Sequence, residues 1–211
     1  MKIAIIGAGN VGGALGKRWA AAGHEVLFGV RDPAREKYQS LVTQTGGKGR
    51  LMTSAEAVKG ASVVVLATPW NTTEAALTAC GSLAGKILID ATNPLGADLA
   101  LTMGHSDSGA EQVGRWAAGA NVVKAFNSTG FNVMDDPVME RRHAVMFVAG
   151  DDQAAKGVVL DLATAIGFEA IDAGNLKMAR VLEPMAQLWI YCAYRQGLTR
   201  DYAFALIRRG A

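Results

Sequence analysis

Short β-branched runs alternate with longer stretches of helical apolar spacing along most of the chain. The spacing predicts strands at Ile3–Ile6, Val26–Phe28, Leu51–Thr53, Val63–Ala67, Ile87–Asp90, Val122–Ala125, Val145–Ala149 and Glu169–Asp172. Between them it predicts helices at Asn10–Ala22, Pro33–Thr43, a brief one capped by Ser54, Thr72–Gly81, Gly109–Ala118 and Asp151–Ile166. In the last of these, Val158, Val159, Leu162 and Ile166 fall on one face. The strands are continuous apolar runs rather than alternating ones, which is the pattern of a parallel sheet covered on both faces. The fold class expected is therefore α/β, a doubly wound and mostly parallel sheet. The rhythm breaks between Pro94 and Ser108, where glycines and polar residues predict a long loop. From Leu176 onward the spacing is helical, with Leu182, Met185, Leu188, Trp189 and Cys192 in register. We therefore expect two parts: residues 1–173 forming the sheet domain, and 174–211 a small C-terminal helical lobe.

Composition narrows the classes. Half of the 211 residues are hydrophobic and only 19% are charged, so the chain can bury a large core and disorder is excluded. Lys and Arg total 21 against 19 Asp and Glu, with no basic run, which argues against nucleic acid as a partner. No apolar run approaches the roughly 20 residues of a membrane helix, and the one after Met1-Lys2 is too short for a secretory leader. Cys80 and Cys192 are the only cysteines, neither near a Cys or His at ligand spacing. They read as free thiols in a reducing compartment, with no metal site expected and the cytoplasm as location. The sequons at Asn71 and Asn127 carry no weight without a leader.

Gly7-Ala8-Gly9-Asn10-Val11-Gly12 follows the first strand and opens the first helix. This is G-x-G-x-x-G in the setting that a dinucleotide demands. Gly7 makes the turn, Gly9 admits the pyrophosphate, and Gly12 lets helix pack on sheet. The free N–H groups of Asn10, Val11 and Gly12 at the helix start then face the phosphates. Which dinucleotide binds is decided after the second strand. The position usually taken by a ribose-binding acid is Val30, followed by Arg31 and, one turn on, Arg35. Guanidinium groups there favour a 2′-phosphate and hence NADP. A register shifted by one residue would instead make Asp32 the ribose acid and favour NAD.

Three further strand ends should line the same cleft, because ligands of doubly wound sheets lie over the carboxyl ends of the strands. They are Ala67-Thr68-Pro69-Trp70, Asp90-Ala91-Thr92-Asn93-Pro94 and Lys124-Ala125-Phe126-Asn127-Ser128. The amides of Asn93 and Asn127 can orient a carboxamide or close their own turns.

On these residues the chain resembles the NADPH-dependent deazaflavin oxidoreductases, which reduce or oxidise coenzyme F420. The glycine motif through Gly13, Gly23-His24-Glu25-Val26, Arg31, the three strand ends, Ile171-Asp172-Ala173-Gly174, Ala179-Arg180 and Leu182-Glu183-Pro184 carry the likeness. It implies a Rossmann domain with a small helical lobe, NADP(H), and a homodimer. It also implies kinship to the cytosolic domain of membrane ferric reductases, where a flavin is the second substrate. That family commonly has Ser before the phosphate-binding Arg; Val30 stands there instead, so one phosphate hydrogen bond is missing.

No residue is assigned a catalytic proton. His24, His105 and His143 read as structural or solvated, Lys124 would serve only if it faced the cleft, and Lys177 lacks the accompanying Asn, since Val181 holds that place. Hydride transfer between a nicotinamide and a flavin-like ring needs orientation and water exclusion instead. The expected cofactor-binding residues are Gly7, Gly9, Asn10, Val11, Gly12, Val30, Arg31, Arg35, Ala67, Thr68, Pro69, Trp70, Asn93, Pro94, Ala125 and Asn127. Trp70, Phe126, Met185, Leu188 and Trp189 are available for an apolar acceptor pocket. Reduction of a small carbonyl or imine, or NADP(H) sensing without turnover, are the alternatives. The apolar helix 182–194 needs cover from its own sheet or from a partner chain, so a homodimer is expected, with the second site near the contact.

Overall fold

The computed structural model describes residues 1–209; the last two residues of the expected C-terminal lobe lie outside them. The strands are β1 (Lys2–Ile6), β2 (Glu25–Gly29), β3 (Gly49–Met52), β4 (Val63–Leu66), β5 (Ile87–Asp90), β6 (Asn121–Lys124), the two-residue β7 (Val138–Met139) and β8 (Arg142–His143), β9 (Val145–Gly150) and β10 (Glu169–Gly174). The α-helices are α1 (Asn10–Ala21), α2 (Gln39–Gln44), α3 (Ser54–Gly60), α4 (Thr73–Cys80), α5 (Gly109–Trp116), α6 (Phe131–Asp135), α7 (Gln153–Ala165) and α8 (Ala179–Arg195). Eight strands form one sheet in the order β10-β9-β6-β5-β4-β1-β2-β3. Every pairing in it is parallel except β6 with β9. The order reverses between β1 and β4, and that switch point opens the cleft.

Strand residues alternate between two cores. Ile3, Ile5, Val63 and Val65 join Trp19, Leu15, Val159 and Leu162 under α1 and α7. Ala4, Ile6, Val64 and Leu66 join Ala57, Leu77 and Val113 under α3, α4 and α5. Burial on both faces explains why the strands read as unbroken apolar runs.

Several boundaries differ from the expectation. The helix expected from Pro33 begins only with a 3₁₀ turn at Glu36–Tyr38, because residues 31–35 form the loop at the end of the sheet. The cap of α3 is Thr53, not Ser54: its hydroxyl accepts the Glu56 N–H while the Glu56 carboxylate accepts the Thr53 N–H. The hairpin β7–β8 and helix α6 are too short to leave a periodic signature. They return the chain so that β9 enters antiparallel to β6. Among the described residues no helix is long and apolar enough to cross a membrane.

Candidate dinucleotide and hydride-transfer site

Gly7 ends β1 with φ +106°, a conformation that favours glycine. A Cβ on Gly12 would overlap the Gly7 carbonyl oxygen, so glycine there lets α1 start against the turn. A Cβ on Gly9, by contrast, would meet nothing within 4 Å. Gly9 is also the N-cap of α1 and makes no side-chain cap. The first N–H groups of the helix therefore face open space with a positive dipole behind them. Space at Gly9 and uncapped donors beside it are the requirements of a pyrophosphate.

Of the cavities that adjoin this turn, two share Thr68 and Pro69 as walls. One, of about 460 Å³, runs over the ends of β2 and β3 and holds Val30, Arg31, Asp32, Arg35, Lys37 and Ser54. Arg31, Arg35 and Lys37 are exposed, and among the described residues none has an ion-pair partner. Asp32 Oδ1 accepts the Ala34 N–H at 3.1 Å and closes its own loop. Lys37, Tyr38 and Ser54 were not expected here. In the sequence Lys37, two places after Arg35, offers only its charge as a signal, and Ser54 stands at the start of a helix that Thr53 caps.

The other cavity, of about 750 Å³, extends from Gly9, Asn10 and Val11 past the ends of β4 and β5. Ala67, Thr68, Pro69, Trp70 and Asn93 line it as expected. The Thr68–Pro69 turn is held by Thr73, whose hydroxyl lies 3.0 Å from that of Thr68 and donates to the Pro69 carbonyl at 3.1 Å. Trp70 is backed by Trp116 with ring centroids 5.4 Å apart. Leu95, Gly96, Ala97 and Thr102, from the long loop, form the outer wall. Thr102 secures that loop with N–H and hydroxyl bonds to the Pro94 carbonyl at 2.7 and 3.0 Å, and Gln187 of α8 donates to the Leu99 carbonyl at 3.1 Å. None of the residues lining this cavity has an ionisable side chain.

Ala125, Asn127 and Pro94 stand one layer behind the wall, all buried. Phe126, at φ +59°, turns the chain there and donates its N–H to Met146 Sδ at 3.0 Å. The two amides then interlock. Asn93 Nδ2 donates to the Asn127 carbonyl at 2.9 Å, while Asn127 Nδ2 donates to Asn93 Oδ1 at 3.1 Å and to the Leu182 carbonyl at 3.0 Å. Asn127 Oδ1 is buried without a partner. Of the five apolar residues considered for an acceptor pocket, only Trp70 lines the cavity. Phe126 is core, Trp189 is buried and stacked on Tyr202, and Leu188 is 56% exposed on the outer face of α8. Lys124 is fully buried beneath the cavity rather than facing it.

The family model for coenzyme F420-dependent NADP oxidoreductases matches residues 2–94. An F420-dependent NADP reductase of Methanothermobacter marburgensis is 33% identical over 205 residues, covering 90% of this chain and 91% of that protein. The rat metalloreductase STEAP3 is 30% identical over 184 residues, 86% of this chain but 36% of that longer protein. A crystal structure from Arthrobacter sp. FB24, assigned as an F420-dependent NADP reductase, superposes with a TM-score of 0.89 at 36% identity, covering 99% of this chain and all of that one. Fold, glycine turn and near full-length similarity agree: the chain belongs to the family of coenzyme F420-dependent NADP oxidoreductases.

Proposed function

We propose that this protein is an NADP(H)-dependent oxidoreductase that passes a hydride between the nicotinamide and a deazaflavin such as F420, or a flavin. The observation that carries this reading is the contrast within one cleft: a phosphate turn and unpaired cations at one end, and a cavity without ionisable side chains at the other. Bound nicotinamide supplies the transferable hydride. The chain's own groups bind, orient and exclude water. Gly9 and the N–H groups of Asn10, Val11 and Gly12 receive the pyrophosphate. Arg31 and Arg35 receive the 2′-phosphate, above Val30. Ala67, Thr68, Pro69, Trp70 and Asn93 wall the ring end, while Asn127 holds Asn93 in place and Pro94 and Ala125 lie buried behind the wall. A carbonyl reductase would need a proton donor beside its substrate, and this wall offers none. Ring-to-ring hydride transfer needs alignment, and the reduced ring, whose negative charge is delocalised, can take its proton from solvent rather than from the wall.

The reading includes a homodimer. Val181, Leu188 and Tyr191 lie at helical spacing on the outer face of α8 and are each about half exposed. Sedimentation of Leu188→Glu as a monomer, against a wild-type dimer, supports this; a monomeric wild type refutes it. It also includes a division of labour between residues 1–173, which line both cavities, and 174–211, whose α8 steadies the outer loop through Gln187 and supplies the dimer contact. A cytoplasmic location fits the free Cys80 and Cys192. The deciding experiment follows NADPH oxidation with F420, FMN, FAD and small carbonyls or imines as acceptors. Turnover with F420 or a flavin supports the reading. Turnover with carbonyls or imines alone overturns it, and NADPH binding without any turnover assigns a sensor.

A further inference from the structure

One buried ion network is not used by the proposed function. Lys124, at the end of β6, and Asp90, at the end of β5, have fully buried side chains, and that of Glu183 on α8 is 1% exposed. Lys124 Nζ lies 2.9 Å from Asp90 Oδ2 and 2.8 Å from Glu183 Oε1, and donates to the Thr92 carbonyl at 2.6 Å. The remaining acceptor positions are filled as well. Asp90 Oδ1 accepts the Thr92 N–H at 2.9 Å and its hydroxyl at 2.7 Å. Glu183 accepts the Gly109 and Ala110 N–H groups, at the start of α5, at 2.8 and 3.0 Å. A Cβ on Gly109 would come within 3.1 Å of Glu183 Oε1, so glycine there leaves room for the carboxylate.

Two carboxylates share one ammonium, so the network holds one net negative charge. The N-terminus of α5 offsets about half a charge of it. The neighbouring Glu111–Arg180 pair is itself neutral. The network sits directly under the neutral end of the cleft: Asp90 and Lys124 both grip Thr92, which lines that cavity between Ala91 and Asn93. No ionisable group of the cavity wall intervenes, and mobile ions cannot enter to screen a buried charge.

We propose that the Lys124–Asp90–Glu183 network discriminates between the redox states of the nicotinamide, favouring the oxidised ring, which carries a positive charge, over the neutral reduced ring. This rests on the reading that the nicotinamide occupies the neutral end. Tighter binding of NADP⁺ than of NADPH makes bound NADPH the stronger hydride donor. Each tenfold bias in affinity corresponds to about 30 mV for a two-electron couple. The three residues act through space, as positioning and field-setting groups, and touch neither ring.

The test is to measure dissociation constants of NADP⁺ and NADPH for wild type, Asp90→Asn and Glu183→Gln, with circular dichroism reporting the fold. Each variant removes one negative charge, from opposite sides of Lys124. NADP⁺ should weaken about ten- to twentyfold in both while NADPH moves less than about twofold, as expected for a charge roughly 10 Å away at an effective dielectric near 20. Equal weakening of both redox states assigns the network a structural role alone and overturns the proposal, as does no change in either. A wild-type measurement stands apart from the folding of any variant. Between about 0.1 M and 1 M salt both affinities should fall together, as exposed phosphate contacts are screened, leaving their ratio within about twofold. A ratio that collapses with salt places the discriminating charge at the surface and overturns the inference. A wild type that binds neither nucleotide refutes the proposed function as well; one that binds both, but whose variants leave the ratio unchanged, refutes only this inference.

Discussion

The two ends of the cleft are made of opposite materials. Over β2 and β3 the wall carries Arg31, Arg35 and Lys37, exposed and without carboxylate partners among the described residues. Over β4 and β5 the wall is Thr, Asn, Trp and small apolar groups, and charge is withdrawn into the layer beneath, where Lys124 is shared by two carboxylates. An exposed cation binds a phosphate at little desolvation cost and distinguishes nucleotides by that phosphate. A neutral wall holds a planar ring without trapping protons, and leaves a buried charge to act through space. On the proposed function, selection of the cofactor and transfer of the hydride fall to different chemistry a few strands apart.

The sharpest way to break this comparison is at the turn the two ends share. Gly9→Val should remove NADPH binding by at least about a hundredfold, some 2.7 kcal/mol or more, because the side chain fills the open space at the phosphates. Its melting temperature should hardly move, since no protein atom lies within 4 Å of the added Cβ. Calorimetry that finds normal NADPH binding would place the phosphates elsewhere.

Next in size is Arg31→Ala. A charge-assisted hydrogen bond contributes roughly 1.5–3 kcal/mol, so NADPH should weaken about ten- to hundredfold while NADH is unchanged. Equal losses for both nucleotides, or a wild type that prefers NADH, would return the ribose contact to Asp32. At the opposite end, Trp70→Ala should raise the acceptor KM several-fold, on the order of 1 kcal/mol of lost aromatic contact, and leave the NADPH dissociation constant alone. A change in NADPH affinity and none in KM would reverse the assignment of the ends.

Two pH measurements complete the contrast. With no ionisable group on the ring wall, kcat should stay flat between about pH 6 and 8; a bell-shaped profile would reveal a proton-transferring residue that the neutral wall lacks. The buried network should show itself in stability instead. Burial alone would pull the Lys124 ammonium down, but Asp90 and Glu183 outweigh it and hold the group above its ordinary value. A raised folded value means that its contribution is complete below the unfolded lysine pKa of about 10.4 and is lost as pH rises through the folded one. Unfolding followed from neutral to strongly alkaline pH should therefore show a loss in wild type that is diminished in Lys124→Met, measured relative to each protein's own neutral stability.

Much of this was legible from residues near one another in the chain. The glycine turn, the strand runs and the cationic loop are local patterns: turn geometry needs glycine within a few residues of a strand end, and a doubly buried strand needs an unbroken apolar run. Arg31 could be read the same way, because its place follows from counting along β2. The strand ends at Thr68 and Asn93 were legible through the topological rule that puts ligands over carboxyl ends.

Tertiary structure decided what depends on partners distant in sequence. Lys124 had the composition of a candidate catalytic group, and only the approach of Glu183 from α8 and of Asp90 from the next strand shows it sealed beneath the cavity. Leu188 and Trp189 are adjacent in sequence and equally apolar, yet Trp189 is buried against Tyr202 and Leu188 faces outward, because helix rotation is set by what α8 packs on. The loop after Pro94 read as irregular surface, and its role as cavity wall depends on Gln187 and Thr102 holding it. Local pattern is written in the covalent order of residues, whereas burial and charge pairing are properties of the space between elements, which exists only once the chain has folded.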